Sequence, residues 1–391
     1  MTNVGKPAWE YQRFSQNSQK ILFTVSNLQI GGIQRVTSVI AGSLYNEGLN
    51  VTLLNTSFRE SKYETLCPVI NSALTPVTFV ERSFRHLVEK IIPNLLNPFC
   101  VSKLYKVLKT NSYDTVILNP EFLFATAHIK KRFPHLRVLL WMHNNFDIYM
   151  NKYFVDQQTE LCENVNAADG VICLEEYTLQ RWSQYNQNCY LVHNPLTIQP
   201  STQSANLDSK TIAFAGRLEI EQKGLDYLIA VAKSLPDGWK IAVAGSGNDA
   251  KEFTELVRVN DLSGKIILKG ALFGSDLLRH YLNSSIFILP SRWEGFSLVS
   301  VEAMSLGLPV VAFDTPALRE VTENGQFGLL AKSGNVQSLV EQISKLTVSR
   351  ELREKYARLG ISRSAFFSVS AITAVWERLL MPLQESRTNE S

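Results

Sequence analysis

The chain has 391 residues, 45% hydrophobic and 19% charged, the composition of a folded globular protein and not of a disordered tail. Lys and Arg number 39 against 36 Asp and Glu, too even a balance for a nucleic-acid footprint. The length predicts two domains of roughly 150–200 residues.

The small basic excess lies in the first half, where residues 1–200 hold 18 Lys and Arg against 15 Asp and Glu. Cys67, Cys100, Cys162, Cys173 and Cys189 form no C-x-x-C and have no His at metal spacing. They read as reduced thiols of a cytoplasmic protein. The start, MTNVGKPAWEYQRFSQNSQK, lacks the apolar core of a signal peptide, and no run of 18 apolar residues predicts a membrane span.

KILFTVS (20–26) predicts a strand, IQRVTSVIAGSLYNEG a helix that stops at Gly48, and NVTLLNT (50–56) the next strand. Together they make a βαβ unit. FVERSFRHLVEKIIPNLLNPF (79–99) sets Phe84, Leu87, Val88, Ile91 and Ile92 against Arg82, Arg85 and Lys90. With Lys103, Lys106 and Lys109, residues 79–109 carry six basic side chains against two Glu. Such a helix can lie on an anionic membrane surface, or it can pack its apolar face on the sheet. DTVILN (114–119), RVLLWMH (137–143), GVICLE (170–175) and CYLVHNP (189–195) continue the strands.

LTIQPSTQSANLDSK (196–210) is polar and reads as a linker. Beyond it come TIAFAG (211–216), a helix at 224–235, KIAVAG (240–245), a helix at 249–260, KIILKG (265–270) and a helix at 276–284. IFILP (286–290) and LPVVAFD (308–314) follow as strands. Strands alternating with helices predict an α/β protein of two doubly wound, Rossmann-like domains, 1–196 and 211–365, joined by 197–210. Such sheets bind ligands at the carboxyl ends of their strands. The loops 27–33, 143–146, 217–223, 245–248, 270–274 and 291–297 all sit there.

WEGFSLVSVEAMSLG (293–307) lies inside one βαβ unit, with Ser297 as the expected helix N-cap and Gly307 as the stop. Glu294 then falls in the strand-to-helix loop and Glu302 in the helix, where eight residues of helix span about 12 Å. Carboxylates accept hydrogen bonds from sugar hydroxyls, and a helix N-terminus favours phosphate. Hydroxyl, phosphate, hydroxyl is the layout of a nucleotide sugar, although two structurally paired glutamates would leave the same pattern. Arg217 and Lys223, in FAGRLEIEQKG, can close on a diphosphate.

R217-L-(x)4-K223-G, the GSG at 245–247 and E294-G-F-(x)5-E302-A-M-(x)2-G307-L-P-V-V resemble the family 4 glycosyltransferases of the GT-B fold. G31-G32-I-Q-R35 is similar to that family's N-terminal glycine loop, and the resemblance runs over about residues 20–345. It implies that Glu302 holds the ribose hydroxyls and Glu294 the donor sugar. Arg217 and Lys223 would neutralise the diphosphate, helped by backbone N–H groups at Gly31, Gly32, Phe296 and Ser297, with Gly295 also in the donor site. Gly245 would line the donor site, and Leu272, in Gly270-Ala271-Leu272, would belong to the segment that reads the base. His143 is similar to a histidine near the reacting sugar, while His193 receives no role. The resemblance implies retention of configuration, an acceptor in the first domain, and a terminal helix (366–391) crossing back onto it.

No Asp-x-Asp motif occurs, so no metal or cofactor is expected; the donor is expected to be a UDP-sugar. The acceptor is expected to be a glycan or lipid-linked sugar; a membrane reading of 79–109 would make it the lipid-linked one, in bacterial surface polysaccharide or glycolipid assembly at the inner face of the membrane. Three other readings stay open. AVAGSGNDA (242–250) matches G-x-G-x-x-A, but Lys269 and Gly270 end the next strand where a NAD site wants an acid. A nucleotide-sugar 2-epimerase would share the fold and the ligand, and a non-catalytic binding protein would share the site.

Overall fold

The computed structural model describes residues 19–29, 31–57, 61–71, 98–198 and 201–381. A first sheet contains β1 (Lys20–Val25), β2 (Asn50–Asn55), β3 (Val69–Asn71), β4 (Thr115–Leu118), β5 (Arg137–Trp141), β6 (Gly170–Cys173) and β7 (Cys189–Leu191), in the order β3-β2-β1-β4-β5-β6-β7. A second contains β8 (Thr211–Ala215), β9 (Lys240–Ala244), β10 (Ile266–Gly270), β11 (Ile286–Leu289), β12 (Val310–Phe313) and β13 (Leu329–Ala331), in the order β10-β9-β8-β11-β12-β13. The described pairings are parallel: Leu22 faces Thr52 on β2 and Val116 on β4, and Phe287 faces Ala213 on β8 and Val310 on β12.

These strands are apolar on both faces, and Ile286, Phe287, Ile288 and Leu289 are all fully buried. That is the signature of a parallel sheet covered by helices on each side. In both sheets the order reverses beside the first strand. The chain leaves β1 towards β2 and β3, then returns to place β4 on the other side; β8 and β11 repeat the pattern. The crevices between β1 and β4, and between β8 and β11, are therefore topological switch points, where adjacent loops diverge and ligands bind.

The chain divides into two compact units, one of Met1–Leu140, Ala167–Asp169 and Val369–Ser391, the other of Trp141–Asn166 and Gly170–Ser368. In the first, the helix Val369–Leu380 packs on the helix Gly32–Asn46. Trp376 lies 5.4 Å from the Phe23 ring, and the Thr373 hydroxyl donates to Ser43 Oγ at 2.8 Å. In the second, the helix Arg350–Ser364 packs on Leu298–Ser305, with Gly360 close enough that a Cβ would touch Met304 at 3.4 Å. This backs the helix that carries Glu302.

β3 and β13, three residues each, carry no predictive pattern of their own. The helical run Arg350–Leu380 contains an 18-residue stretch that is, by length and composition, apolar enough to cross a membrane, with a mean hydropathy of 1.2. It is broken by a 3-10 turn at Ala365–Phe367, and its two parts pack as just described. Residues 79–97 of the expected basic helix lie outside the described residues. The helix Pro98–Thr110 follows them, and there Lys103 Nζ donates to the Thr56 carbonyl at 3.0 Å. Among the described residues no cysteine forms a disulfide.

Candidate functional site

The loops after β8 and β11 meet at the second switch point, and small residues set how closely. Gly224 has φ 63°, the left-handed region that favours glycine, and a Cβ there would overlap the Pro290 carbonyl oxygen. The Arg292 amide donates to Gln222 O at 2.8 Å, and its guanidinium forks onto Asp226 at 2.9 and 2.6 Å. This stitching brings Lys223 Nζ within 2.6 Å of Glu294 Oε1, while Ser291 Oγ donates to the same oxygen at 2.6 Å. The two charged side chains are only 10% and 8% exposed. Charges so buried are tolerated because they are paired and hydrogen-bonded. Lys223 and Glu294, assigned from sequence to different parts of a donor, thus form one ion pair.

Glu302 is fully buried, in the helix Leu298–Ser305. Its Oε2 accepts from the Tyr281 hydroxyl at 3.1 Å and its Oε1 from Thr197 Oγ1 at 3.4 Å. Val301, Ala303 and Met304 around it are fully buried, so the helix is fixed by the core and the carboxylate by its donors.

Ser297 corrects the sequence reading. It precedes the helix but caps no N–H; its hydroxyl donates to Ser300 Oγ at 2.7 Å, and its φ is 74°. A non-glycine residue held there stores strain, as functional sites commonly do. The Phe296 side chain is buried against His193 and Phe367, with ring centroids 5.7 and 5.3 Å away, which leaves its backbone as the group able to meet a ligand. Gly295 is required sterically, since a Cβ would overlap the His143 carbonyl oxygen.

His143 follows β5, in the same unit. Its ring lies 4.5 Å from that of Trp141, and its backbone N–H donates to the Tyr149 hydroxyl at 3.0 Å. Although the residue keeps some surface, burial pushes its imidazole down to about 3, so it is neutral at physiological pH.

Arg217 stands in the loop of Lys223 but outside the ion pair; it is exposed and pairs with Glu219 at 3.2 Å. Leu272 is half-buried, in the turn between β10 and the helix Gly274–Leu282, next to the exposed Phe273. In the first unit Gly31 is extended, with φ 179°, and its N–H donates to the Tyr63 hydroxyl at 3.0 Å; Gly32 opens its helix and is exposed. A Cβ on Gly245 would overlap the Gly216 carbonyl, and one on Gly247 the Leu218 carbonyl. The GSG glycines Gly245 and Gly247 therefore admit the neighbouring loop of the same chain.

Sequence reasoning passed over His193, which meets Glu320 at 2.8 Å. Burial alone would raise the Glu320 carboxyl, but the bond to His193, with the Glu176 amide and Arg363 nearby, lowers it overall. Glu320, Glu175, Tyr177, Arg319, Asn324 and Arg363 line a cavity of about 240 Å³. Its members come from segments over a hundred residues apart, and no local pattern announces them. Among the described residues no three His, Cys, Asp or Glu side chains could hold a metal ion.

Residues 30–199 match the family model "Glycosyltransferase Family 4", and residues 198–363 match "Glycosyl transferases group 1". A Haemophilus influenzae protein, an uncharacterized glycosyltransferase, is 25% identical over 93% of this chain and 100% of its own length. The N-acetylgalactosamine-N,N'-diacetylbacillosaminyl-diphospho-undecaprenol 4-alpha-N-acetylgalactosaminyltransferase of Campylobacter jejuni is 24% identical over 71% of this chain and 79% of its own. The solved structure of Anabaena HepE with UDP and glucose superposes with a TM-score of 0.74, at 20% identity, over 93% of this chain and 100% of that one. With two doubly wound sheets and matches running from residue 30 to 363, the chain belongs to the group 1, family 4-like glycosyltransferases of the GT-B fold.

Proposed function

We propose that the chain moves a sugar from a UDP-sugar to a hydroxyl of a glycan or lipid-linked sugar, with retention and without a metal ion. The observation that carries this reading is the buried Lys223–Glu294 pair at the second switch point. A carboxylate held by Lys223 and Ser291 is oriented to accept from donor sugar hydroxyls. The ammonium beside it meets the charge that grows on the departing diphosphate, and Arg217, on the same loop, can fold in to share it. Glu302, steadied by Tyr281, takes the ribose hydroxyls, and the helix N-terminus at Leu298 adds its N–H groups to the phosphates. Neutral His143 can hydrogen-bond the sugar without competing for the phosphate charge.

In this mechanism the bond from the anomeric carbon to the diphosphate breaks as the acceptor oxygen bonds to that carbon on the same face. The acceptor's proton passes to the leaving phosphate oxygen. UDP in the HepE complex and the undecaprenol-linked acceptor in the Campylobacter name support this donor and acceptor class. The setting is the cytoplasmic assembly of surface polysaccharide or glycolipid.

The test is a thermal-shift screen of UDP-, GDP- and ADP-sugars on the full chain, followed by product analysis. A donor at a hundred times its Kd adds about 2.7 kcal/mol to stability, so UDP-sugars should raise Tm selectively. Glu302→Ala should weaken donor binding and Glu294→Ala turnover, both with EDTA present. A trapped sugar–enzyme adduct or an inverted anomer would overturn the mechanism. Interconversion of donors without UDP release would overturn the transfer itself.

A further inference from the structure

The first sheet has its own switch point, and the donor reading gives no role to the polar side chains gathered there. Ser26 and Asn27 directly follow β1, and Glu121 lies just beyond β4 in the 3-10 helix Pro120–Ala125. Asn119 fixes this corner: it is fully buried, and its amide donates to Thr24 O at 2.6 Å and to Thr37 Oγ1 at 3.1 Å. One side chain thereby ties β4 to β1 and to the helix Gly32–Asn46. Beside it Ser26 Oγ donates to Glu121 Oε1 at 2.7 Å, and Asn27 Nδ2 donates to Ser26 Oγ at 3.2 Å.

Glu121 Oε2 is enclosed and has no hydrogen-bond partner. Burial raises this carboxyl, opposed by the Ser26 bond. Leaving one carboxyl oxygen unmatched is unfavourable, and a leucine of similar volume would avoid it. Yet Ser26, Asn27 and the Glu121 residue as a whole keep part of their surface exposed, so the group sits at the wall of the crevice and not deep in the core. An under-satisfied carboxyl at the point where such sheets take ligands is one that a ligand hydroxyl can satisfy after a small side-chain rotation.

We infer that Glu121, oriented by Ser26 and Asn27, is an acceptor-binding residue that takes a hydrogen bond from a hydroxyl of a neutral sugar ring. This rests on the transfer reading above and gives its acceptor side a site. The ligand class follows from the groups present: a carboxyl and a hydroxyl accept from alcohols, and neither they nor Asn27 supply a cation for a phosphate.

The test uses the full chain, UDP-glucose, UDP-N-acetylglucosamine and UDP-galactose as donors, and octyl glycosides of the same sugars as acceptor probes. UDP release in water reports donor use alone; transfer to the glycoside and saturation-transfer NMR report the acceptor. Glu121→Gln and Glu121→Leu should raise the glycoside KM about ten- to a hundredfold, the scale of a hydrogen bond to a charged group. Donor KM and UDP release in water should stay at wild-type values. Glu121→Leu should also keep or raise Tm, since it removes the unmatched oxygen, whereas a purely structural role predicts a lower Tm with an unchanged glycoside KM. A glycoside KM within twofold of wild type in a folded Glu121→Leu protein overturns the inference. So does a wild-type chain that releases UDP but neither binds nor uses any of the glycosides. Absence of UDP release from every donor would instead count against the transfer reading, and loss of the NMR signal in Glu121→Leu would still support the site.

Discussion

Removing Lys223 alone should cost more than removing it together with Glu294. At 2.6 Å the pair's attraction is about 6 kcal/mol for an effective dielectric of 20, and it is offset by several kcal/mol of desolvation per ion. Lys223→Met forfeits the attraction but leaves Glu294 in a site where its side chain is 8% exposed, with Ser291 as a donor. Stranding a buried charge in this way costs about 3–5 kcal/mol, or a Tm lower by roughly 10 °C. In Lys223→Met/Glu294→Gln both charges are gone and Ser291 can still donate to the amide oxygen. That double variant should recover to within about 1–2 kcal/mol of wild type. Turnover should not return, because the groups proposed to meet the phosphate charge and the sugar are both missing. Denaturant unfolding of wild type, Lys223→Met, Glu294→Gln and the double variant gives the coupling energy, and UDP release gives the rates. Additive stability losses, or a double variant that regains turnover, would refute a shared role for the pair.

Burial holds His143 at about 3 against an ordinary 6.5, so the unfolded chain takes up this proton first. Stability is therefore whole above pH 6.5 and is lost as pH falls from 6.5 towards 3; His143→Phe should flatten that slope by up to about one proton, read from denaturant midpoints across the window. Gly295→Ala would drive a methyl into the His143 carbonyl oxygen. Displacing Glu294 by about 1 Å should lower turnover on the order of a hundredfold, and a rate within threefold of wild type would show that the approach of the two loops is not needed.

Alternating apolar strands and helices are legible in the sequence because parallel strands buried on both faces leave continuous apolar runs, as in Ile286–Leu289. β3 and β13 are not, because three residues at a sheet edge take their conformation from the neighbouring strand. The Glu294 and Glu302 positions stand out through their spacing, yet their partners do not. Lys223 is 71 residues from Glu294, and their contact follows from a backbone crossing at Gly224 and Pro290 that no local pattern encodes. Ser297 reads as a cap by residue type, but its left-handed backbone turns the hydroxyl to Ser300. Glu121 is a single acid in NPEFLF; its meaning depends on which strand lies beside β4.

The same connectivity in both sheets explains why chemistry gathers where it does. In each, the loop after the first strand and the loop after the fourth become neighbours because the strand order reverses between them, whatever residues those loops carry. What differs is the content. The second crevice holds an ammonium and a carboxylate already in contact, so in the proposed reaction a diphosphate would compete for Lys223 while sugar hydroxyls would compete for Glu294. Binding there exchanges one set of charge-assisted bonds for another and avoids creating an unpaired buried charge. The first crevice offers a carboxyl, a hydroxyl and an amide, groups able to recognise an alcohol.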